Sequence, residues 1–265
     1  MMIDWSHATL GRTGRQVCRL GISASYGVSA AGIHMAFERG VNYLYWGTIR
    51  RDQFAQALRD LKQKRDQMFL LVQSYSRLAS LIEPSVERAL RKIGYDYADA
   101  LLLGMWYRPA YPRIMDAYRK LRDRGLVRHL AMSVHKRTLV AELASTEIDA
   151  FHVRYNAVHT GAERDVFPQL PSNESRPGIV AFTATSWRQL LSARKIPSGE
   201  PVPSAADCYR FVMSNTGVDV CMTGPSTEQH VRDMLQALDR RAMTDEEAAW
   251  MRRVGQAIYG KAKAG

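Results

Sequence analysis

The stretch MFLLVQSYSRLASLIEPSVERALRKIGYDYADALLLGM, residues 68–105, contains the pattern that decides the fold. It begins with one continuous apolar run, MFLLVQS, and ends with another, DALLLGM. Between them, EPSVERALRKIG has apolar residues at helical spacing and ends in glycine, which commonly terminates a helix. Strands that are apolar throughout are typical of parallel sheets buried on both faces. The stretch therefore predicts a β–α–β unit with two parallel strands.

The same alternation of strands and helices continues nearly end to end along the chain. The predicted strands are VCRLGIS, VNYLYW, MFLLVQS, DALLLGM, RHLAMSV, AFHVRYN, IVAFTAT and VDVCMTG, and helical segments such as AAGIHMAFERG, RDQFAQALRDLK, RIMDAYRKLRDRG and AADCYRFVMSN separate them. Eight such repeats favour a (β/α)8 TIM barrel over an open sheet. The length of 265 residues suits this fold, because such a barrel typically needs about 250 residues.

Two further elements are predicted at the ends of the chain. Alternating segments flank a Thr-Gly turn in ATLGRTGRQVCRL, which predicts an N-terminal β-hairpin that could plug the bottom of the barrel. Near the C-terminus, TDEEAAWMRRVGQAIYG begins with a capping box, Thr244 to Glu247, and predicts one extra helix. No linker or low-complexity segment interrupts the chain, so residues 1–265 are predicted to form a single domain.

The composition argues against several classes of protein. The formal charge of +11 favours an anionic small-molecule ligand, such as one bearing phosphate. No basic-aromatic alternation, zinc-finger motif or RNP-type motif occurs, so nucleic acid is not expected as a partner. No apolar run approaches the roughly 20 residues of a membrane span, and no hydrophobic signal core is recognised. The three cysteines lack CxxC spacing and are expected to be reduced thiols in a cytoplasmic protein.

In a barrel of this kind, functional side chains are expected where strands end and helices begin. Several aromatic residues there could form a cage for a substrate or could pack the barrel mouth, namely Tyr45, Trp46, Trp106 and Tyr107. Arg50 and Arg51 could bind a carboxylate or phosphate. The other expected rim residues are Gln73, Tyr75, Gly104, Ser133, His135, His152, Asn156, Thr183, Gly224 and Ser226.

Motifs along almost the whole chain resemble the aldo-keto reductases, and the chain is similar to their short bacterial members. LGRTGRQVCRLG resembles the family's opening hairpin, and FERGVNYLYWG, KIGYDYADALLL, VRYN and GIVAFTAT resemble its second, fourth, sixth and seventh strands. YRFVMSNTGVDVCMTGP and MRRVGQAIYG resemble its C-terminal signature. The family reduces carbonyls with NADPH, so the resemblance implies a barrel oxidoreductase that uses a nicotinamide cofactor.

The resemblance also implies where catalytic residues should lie, and this chain departs from the family there. The family's tyrosine gives the proton, a lysine and an aspartate tune it, and a histidine orients the carbonyl. The aspartate position is Tyr45, the tyrosine position is about Arg50, the lysine position is Gln73 and the histidine position is Gly104. A phenol gives up its proton readily when a nearby ammonium lowers its pKa, and Gln73 supplies no charge. We therefore expect a degenerate tetrad without ordinary carbonyl reduction.

The expected cofactor, NADP or NAD, has more of its site in place. Phe182 matches the aromatic residue that stacks on the nicotinamide, and Ser133 matches a serine that binds its amide. Val134 replaces the asparagine beside that serine, and His152 replaces a glutamine, so a weakened site is expected. In GPSTEQHVRDML, a capping box from Ser226 to Gln229 predicts a helix start that suits a phosphate, although the family's basic residue is missing near Ser226. The expected cofactor-binding residues are Ser133, His152, Phe182, Thr183, Gly224, Ser226, Thr227 and His230.

Three hypotheses about function remain open at this point. The first is a nicotinamide-dependent oxidoreductase with a replaced proton donor; the second is a pseudoenzyme that binds a cofactor or metabolite for regulation. The third is a cofactor-free lyase, isomerase or hydrolase that uses arginine, tyrosine and histidine at the rim. No carboxylate or cysteine accompanies His135, His152 and His159, so no metal is expected. The candidate catalytic residues are Tyr45, Arg50, Gln73, Tyr107, His135 and His152.

Overall fold

The structure, a computed structural model, describes residues 5–264, and for residues 261–264 it describes the backbone alone. Residues 1–4 and 265 of the predicted single domain lie outside the described residues. The strands are β1 His7–Thr9, β2 Gln16–Cys18, β3 Leu20–Ser23, β4 Tyr43–Trp46, β5 Phe69–Ser74, β6 Ala98–Trp106, β7 Val127–Val134, β8 Ala150–Arg154, β9 Gly178–Phe182 and β10 Val220–Thr223. The α-helices are α1 Ala30–Glu38, α2 Asp52–Asp60, α3 Ala79–Ile93, α4 Pro112–Asp123, α5 Thr138–Leu143, α6 Ala162–Asp165, α7 Ala205–Met213, α8 Glu228–Asp239 and α9 Asp245–Ala264.

The parallel strands β3 to β10 close into a barrel in the order β10-β3-β4-β5-β6-β7-β8-β9. The predicted (β/α)8 barrel is therefore confirmed. The predicted strand VCRLGIS divides into two elements, because Cys18 ends the hairpin strand β2 and Leu20 begins the barrel strand β3. The division occurs where the chain leaves an antiparallel pairing with β1 for a parallel pairing with β4 and β10.

The N-terminal hairpin closes the bottom of the barrel, as predicted. Leu10 and Val17 have no exposed surface and belong to the same apolar cluster as the inward side chains of the barrel strands. The turn of the hairpin lies against β9, because the N–H of Arg12 donates to the carbonyl of Arg176 at 2.7 Å. Gly11 is required there: a Cβ at this residue would lie 2.2 Å from the backbone nitrogen of Gly178.

Large rings on one side of the barrel interior face small residues on the other. Tyr43 of β4 stacks on Phe69 of β5 with ring centroids 5.2 Å apart. The next strands around the barrel, β6, β7 and β8, contribute Ala100, Ala131 and Ala150 to the same cluster. Because bulky and small side chains are complementary across the interior, the lower barrel is a packed core and space remains for a ligand at the upper end.

The extra C-terminal helix, α9, packs on the outside of the barrel. The predicted capping box is confirmed, since the Thr244 hydroxyl accepts from the Glu247 N–H at 3.2 Å and the Glu247 carboxylate accepts from the Thr244 N–H at 2.9 Å. That carboxylate also receives two hydrogen bonds from the buried guanidinium of Arg210 on α7. In the described part of the chain, no helix combines the length and apolar character that a membrane crossing requires.

Candidate active site

A cavity of about 530 Å³ opens at the carboxyl ends of the barrel strands. Its walls come from residues at or just beyond the ends of several strands, including Tyr45, Gln73, Ser133, His152 and Phe182. This is the end of a TIM barrel where enzymes carry their active sites. The described cavity is therefore the natural place to look for the predicted site residues.

His152 lines the cavity and is hydrogen-bonded to a buried tyrosine of the barrel interior, Tyr43. The Tyr43 hydroxyl and His152 Nε2 are 2.9 Å apart, and neither side chain is appreciably exposed. Burial lowers the pKa of His152 to about 3 and raises the pKa of Tyr43. The imidazole is therefore neutral at physiological pH and cannot act as a general acid there.

Tyr45 lines the cavity together with Gln73. Its hydroxyl donates a hydrogen bond to Gln73 Oε1. Burial raises the pKa of Tyr45, and the neighbouring Tyr75 raises it further; no cation is among the groups that shift it. The phenol is thus a hydrogen-bond donor with weak acidity, which is the opposite of what a tyrosine needs to act as a proton donor.

Gly104, at the end of β6, leaves room that neighbouring side chains fill. A Cβ at this residue would lie 2.2 Å from Gln73 Nε2 and 2.7 Å from the Tyr75 ring. A larger side chain at residue 104 would therefore displace Gln73 or Tyr75. Arg77 fixes this end of β6, since it donates to the Gly104 carbonyl at 3.0 Å and lies 4.0 Å from the Trp106 ring centroid.

Arg50, a candidate catalytic residue, does not line the cavity, whereas Tyr45 does. The turn between β4 and α2 is short and points outward: the Arg50 N–H bonds to the Thr48 hydroxyl at 3.3 Å, and the Arg50 side chain is exposed to solvent. Arg51 has a structural contact instead, because its guanidinium donates to the backbone carbonyl of Ser25. Neither arginine supplies a cation to the cavity wall.

The proposed aromatic cage is divided between the cavity and the core. Trp46 and Trp106 are each 2% exposed and pack in the core outside the barrel, where they fill space. Tyr107 is 60% exposed and does not line the cavity. It stacks on His135 with centroids 5.2 Å apart, and His135 lies 5.8 Å from Phe182. Burial, and then the charge of Arg154, lower the pKa of His135.

Most of the residues expected to bind a cofactor line the same cavity. They are Ser133, His152, Phe182, Thr183, Gly224, Ser226 and His230. Thr227 lies outside the cavity wall and caps α8, since its hydroxyl accepts from the His230 N–H at 3.2 Å. The predicted capping box from Ser226 to Gln229 is therefore wrong: the N-cap of α8 is Thr227, one residue later. The Ser226 hydroxyl instead contacts His230 Nδ1 at 3.0 Å.

The loop after β9 crosses the cavity wall in an unusual backbone conformation. Thr183, Ser186, Trp187 and Arg188 all have positive φ, between 49° and 67°. Such conformations cost of order 1 kcal/mol or more for each residue and persist when surrounding contacts impose them. Asn156 provides one such contact: it has no exposed surface and its amide donates to the Thr183 carbonyl at 2.7 Å, while its Oδ1 accepts from the N–H groups of Val158 and His159.

Sequence reasoning missed Arg154, which also lines the cavity. Residues two apart on a strand share a face, and Arg154 follows the inward His152 by two. That spacing was the available signal, although the arginine lies within a stretch, VRYN, that was read as a strand motif. Among the residues that line the cavity, Arg154, Arg188 and Asp233 carry formal charges.

Comparisons with known proteins give the family. The sequence model of the aldo/keto reductase family matches residues 22–186. The chain belongs to the aldo/keto reductase family. No curated protein matches the sequence.

Solved structures of aldo/keto reductases share the fold over nearly the whole chain. The holo form of aldo-keto reductase AKR11C1 from Bacillus halodurans superposes with a TM-score of 0.79 at 19% identity, covering 95% of this chain and 97% of that one. An aldo/keto reductase from Klebsiella pneumoniae, solved in complex with NADP and acetate, gives 0.77 at 19% identity, covering 95% of each chain. At this identity the likeness establishes the fold of this family member.

Proposed function

We propose that this aldo/keto reductase family member binds a nicotinamide dinucleotide, NADP or NAD, and acts as an oxidoreductase with a non-standard active site. One observation carries the proposal: Ser133 near the end of β7, Phe182 at the end of β9 and Ser226 after β10 line one cavity at the barrel mouth. The family membership supports it, as does the related Klebsiella pneumoniae structure, which contains NADP.

The residues present fit such a cofactor in part. Phe182 is half-buried and borders the cavity, so a ring face is available for a nicotinamide to stack on. Ser133 and His152 are paired across β7 and β8 and offer polar atoms beside that ring. At the other end, Ser226 precedes the first turn of α8, where unpaired N–H groups favour a phosphate. A bound nicotinamide would supply or accept a hydride.

The chain's own acid–base groups are poor proton donors. Tyr45 is hydrogen-bonded to Gln73 and has a raised pKa, and His152 is neutral and hydrogen-bonded to Tyr43. These groups can hold and orient a carbonyl or hydroxyl oxygen by hydrogen bonding. They would protonate an alkoxide slowly, because neither acid is close in pKa to neutral pH.

The same observation favours a second candidate function, a pseudoenzyme that binds the dinucleotide or a metabolite without turnover. Burial makes Tyr45 a weaker acid and leaves His152 unprotonated near neutral pH, and no lysine lies among the residues that line the cavity. The cofactor-free enzyme receives less support, because two of its candidate residues, Arg50 and Tyr107, do not line the cavity. Binding without turnover would separate the first two candidates.

Titration calorimetry with NADPH, NADP+ and NADH tests the proposal. We expect measurable binding, and we expect Phe182→Ala to raise the Kd about tenfold, the size of effect usual for losing one base–aromatic stack. Tyr111→Ala is the matched control, because this aromatic residue lies near the same barrel end but does not line the cavity. The absence of binding of any dinucleotide, or equal effects of the two variants, would contradict the proposal.

A further inference from the structure

Arg154 occupies a central place at the mouth of the cavity. It ends β8, its register partner on β9 is Phe182, and it stands two residues beyond the inward His152. On the other side, the positive charge of Arg154 contributes to lowering the pKa of His135, which follows the end of β7. Three neighbouring strands thus place an imidazole, a guanidinium and a phenyl ring side by side at the barrel mouth.

The guanidinium of Arg154 has no ion-pair or hydrogen-bond partner among the described residues, and its Nε is shielded from solvent. A shielded donor without an acceptor costs of order 1–3 kcal/mol, and more when it is charged. Two other shielded arginines are paired with carboxylates: the half-buried Arg176 with Asp219, and the buried Arg210 with Glu247. Arg154 therefore differs from these structural arginines in having a charge that nothing in the described fold neutralises.

The surroundings of Arg154 select among anions. The guanidinium carbon lies 4.7 Å from the centroid of the Trp187 ring, within the range of a cation–π contact. The adjacent walls, Phe182 and Leu191, are apolar. A carboxylate accepts two parallel hydrogen bonds from the edge of a guanidinium, and an apolar body attached to it would contact these walls.

We propose that Arg154 binds the carboxylate of the substrate, so that the substrate class is small carbonyl or hydroxy compounds that carry a carboxylate on an apolar or aromatic body. This inference deepens the proposed function and rests on it, because it assigns the other end of the same cavity. Arg154 takes the anion-binding role that the sequence suggested for Arg50.

Benzoate and benzamide are suitable probes, since they differ in charge but hardly in shape. Calorimetric titrations are carried out with and without saturating NADP+. Wild-type protein is expected to bind benzoate about tenfold or more tighter than benzamide, as hydrogen bonds to charged groups require. Arg154→Met is expected to abolish this preference, and Arg154→Lys to retain part of it, because lysine keeps the charge but not the planar fork.

Arg50→Met is the matched control, because it removes an equal charge from an exposed residue near the same end of the barrel. Equal loss of benzoate affinity in Arg50→Met and Arg154→Met would mean that overall charge, not a contact, attracts the anion, and would overturn the inference. Equal binding of benzoate and benzamide by wild-type protein would overturn it without any variant. Loss of NADP+ affinity in Arg154→Met, with benzoate affinity unchanged, would assign the guanidinium to the cofactor and also overturn it.

The two proposals fail in different measurements. Titration of dinucleotide alone tests the proposed function, whereas titration of benzoate against benzamide tests the role of Arg154. A protein that binds benzoate through Arg154 and binds no dinucleotide would sink the proposed function and keep the carboxylate site. Dinucleotide binding without a preference for benzoate would do the reverse.

Discussion

The side of the cavity formed by β9, β10 and the start of α8 differs from the side formed by β4, β5 and β6 in the groups it presents. The first offers the face of the Phe182 ring, the backbone around Gly224 and the N-terminus of α8. The second offers Tyr45 and Gln73, whose chemistry depends on the side chains themselves. Backbone N–H groups are present whatever the side chains are, whereas a side chain that donates a proton needs a suitable charge beside it to adjust its pKa.

An assay of ordinary reductase activity is the most direct test of the difference between the two sides. We expect turnover of reactive aldehydes with NADPH to be at least about a hundredfold below a typical enzyme's 1–10³ per second, because general acid catalysis contributes about 10²–10⁴-fold. The physical reason is that burial raises the pKa of Tyr45 and no cation opposes it. Loss of NADPH absorbance over a panel of aldehydes measures the rate. Turnover in the typical range would show that a proton donor exists outside the pair Tyr45 and His152.

The protonation state of the buried His152 can be tested through the pH dependence of the free energy of unfolding. The folded pKa of His152 is about 3, below its ordinary value of 6.5. Below pH 6.5 the unfolded chain takes up a proton that the folded chain excludes, so stability falls as the pH decreases towards 3 and is unaffected above 6.5. Between pH 7 and pH 5 this loss amounts to about 2 kcal/mol, at about 1.4 kcal/mol for each pH unit below 6.5.

His152→Gln removes the titrating group and keeps a partner for the Tyr43 hydroxyl. Urea unfolding of both proteins at pH 7 and pH 5 gives the difference, in which the other histidines cancel. We expect the stability of the wild type relative to the variant to decline by about 2 kcal/mol over this range. Parallel curves for the two proteins would mean that His152 is hydrated or charged in the fold.

Much of this architecture is contained in the sequence pattern, and the exceptions have physical causes. Continuous apolar runs predicted the barrel strands, and the family resemblance singled out Phe182 and Ser226, which line the same cavity. The sequence could not show that Arg50 lies outside the cavity wall, because periodicity ends with β4 and does not determine the direction of the following turn. The helix start at Thr227 was missed because both Ser226 and Thr227 can cap, and the path of the chain after β10 decides between them.

The role of Arg154 was not evident from the sequence for a different reason. A charged residue at a strand end is ordinarily solvated, and nothing in the sequence reveals that no carboxylate approaches it. That absence of a partner among the described residues depends on the packing of β7, β9 and the loop carrying Trp187. Residue types can be placed on a rim by pattern, but their pairing requires the fold.

The relative affinity for NADPH and NADH tests the groups near Ser226 and the start of α8. We expect less than about a hundredfold preference for NADPH, or 2.7 kcal/mol, because no lysine or arginine lies next to Ser226 in the sequence and Glu228 places a carboxylate at the first position of α8. His230 is the nearest basic side chain, and it is hydrogen-bonded to Ser226. Parallel calorimetric titrations decide the matter. A larger preference would require a charged contact with the 2′-phosphate, for which Arg232 is the first residue to replace.

The smallest expected effect belongs to Arg50, at the position where the family resemblance placed the catalytic tyrosine. Its side chain is exposed and lies outside the cavity wall, and its described hydrogen bond comes from the backbone N–H. Surface substitutions of this kind usually change stability by no more than about 0.5 kcal/mol. We therefore expect Arg50→Ala to leave both the melting temperature and the Kd for NADPH nearly unchanged, measured by thermal unfolding and calorimetry. If Arg50→Ala instead weakened binding of NADPH or benzoate as much as the loss of a cavity residue does, the loop after β4 would have to close over the ligand. The contrast between the side formed by β9, β10 and α8 and the side formed by β4, β5 and β6 would then no longer hold.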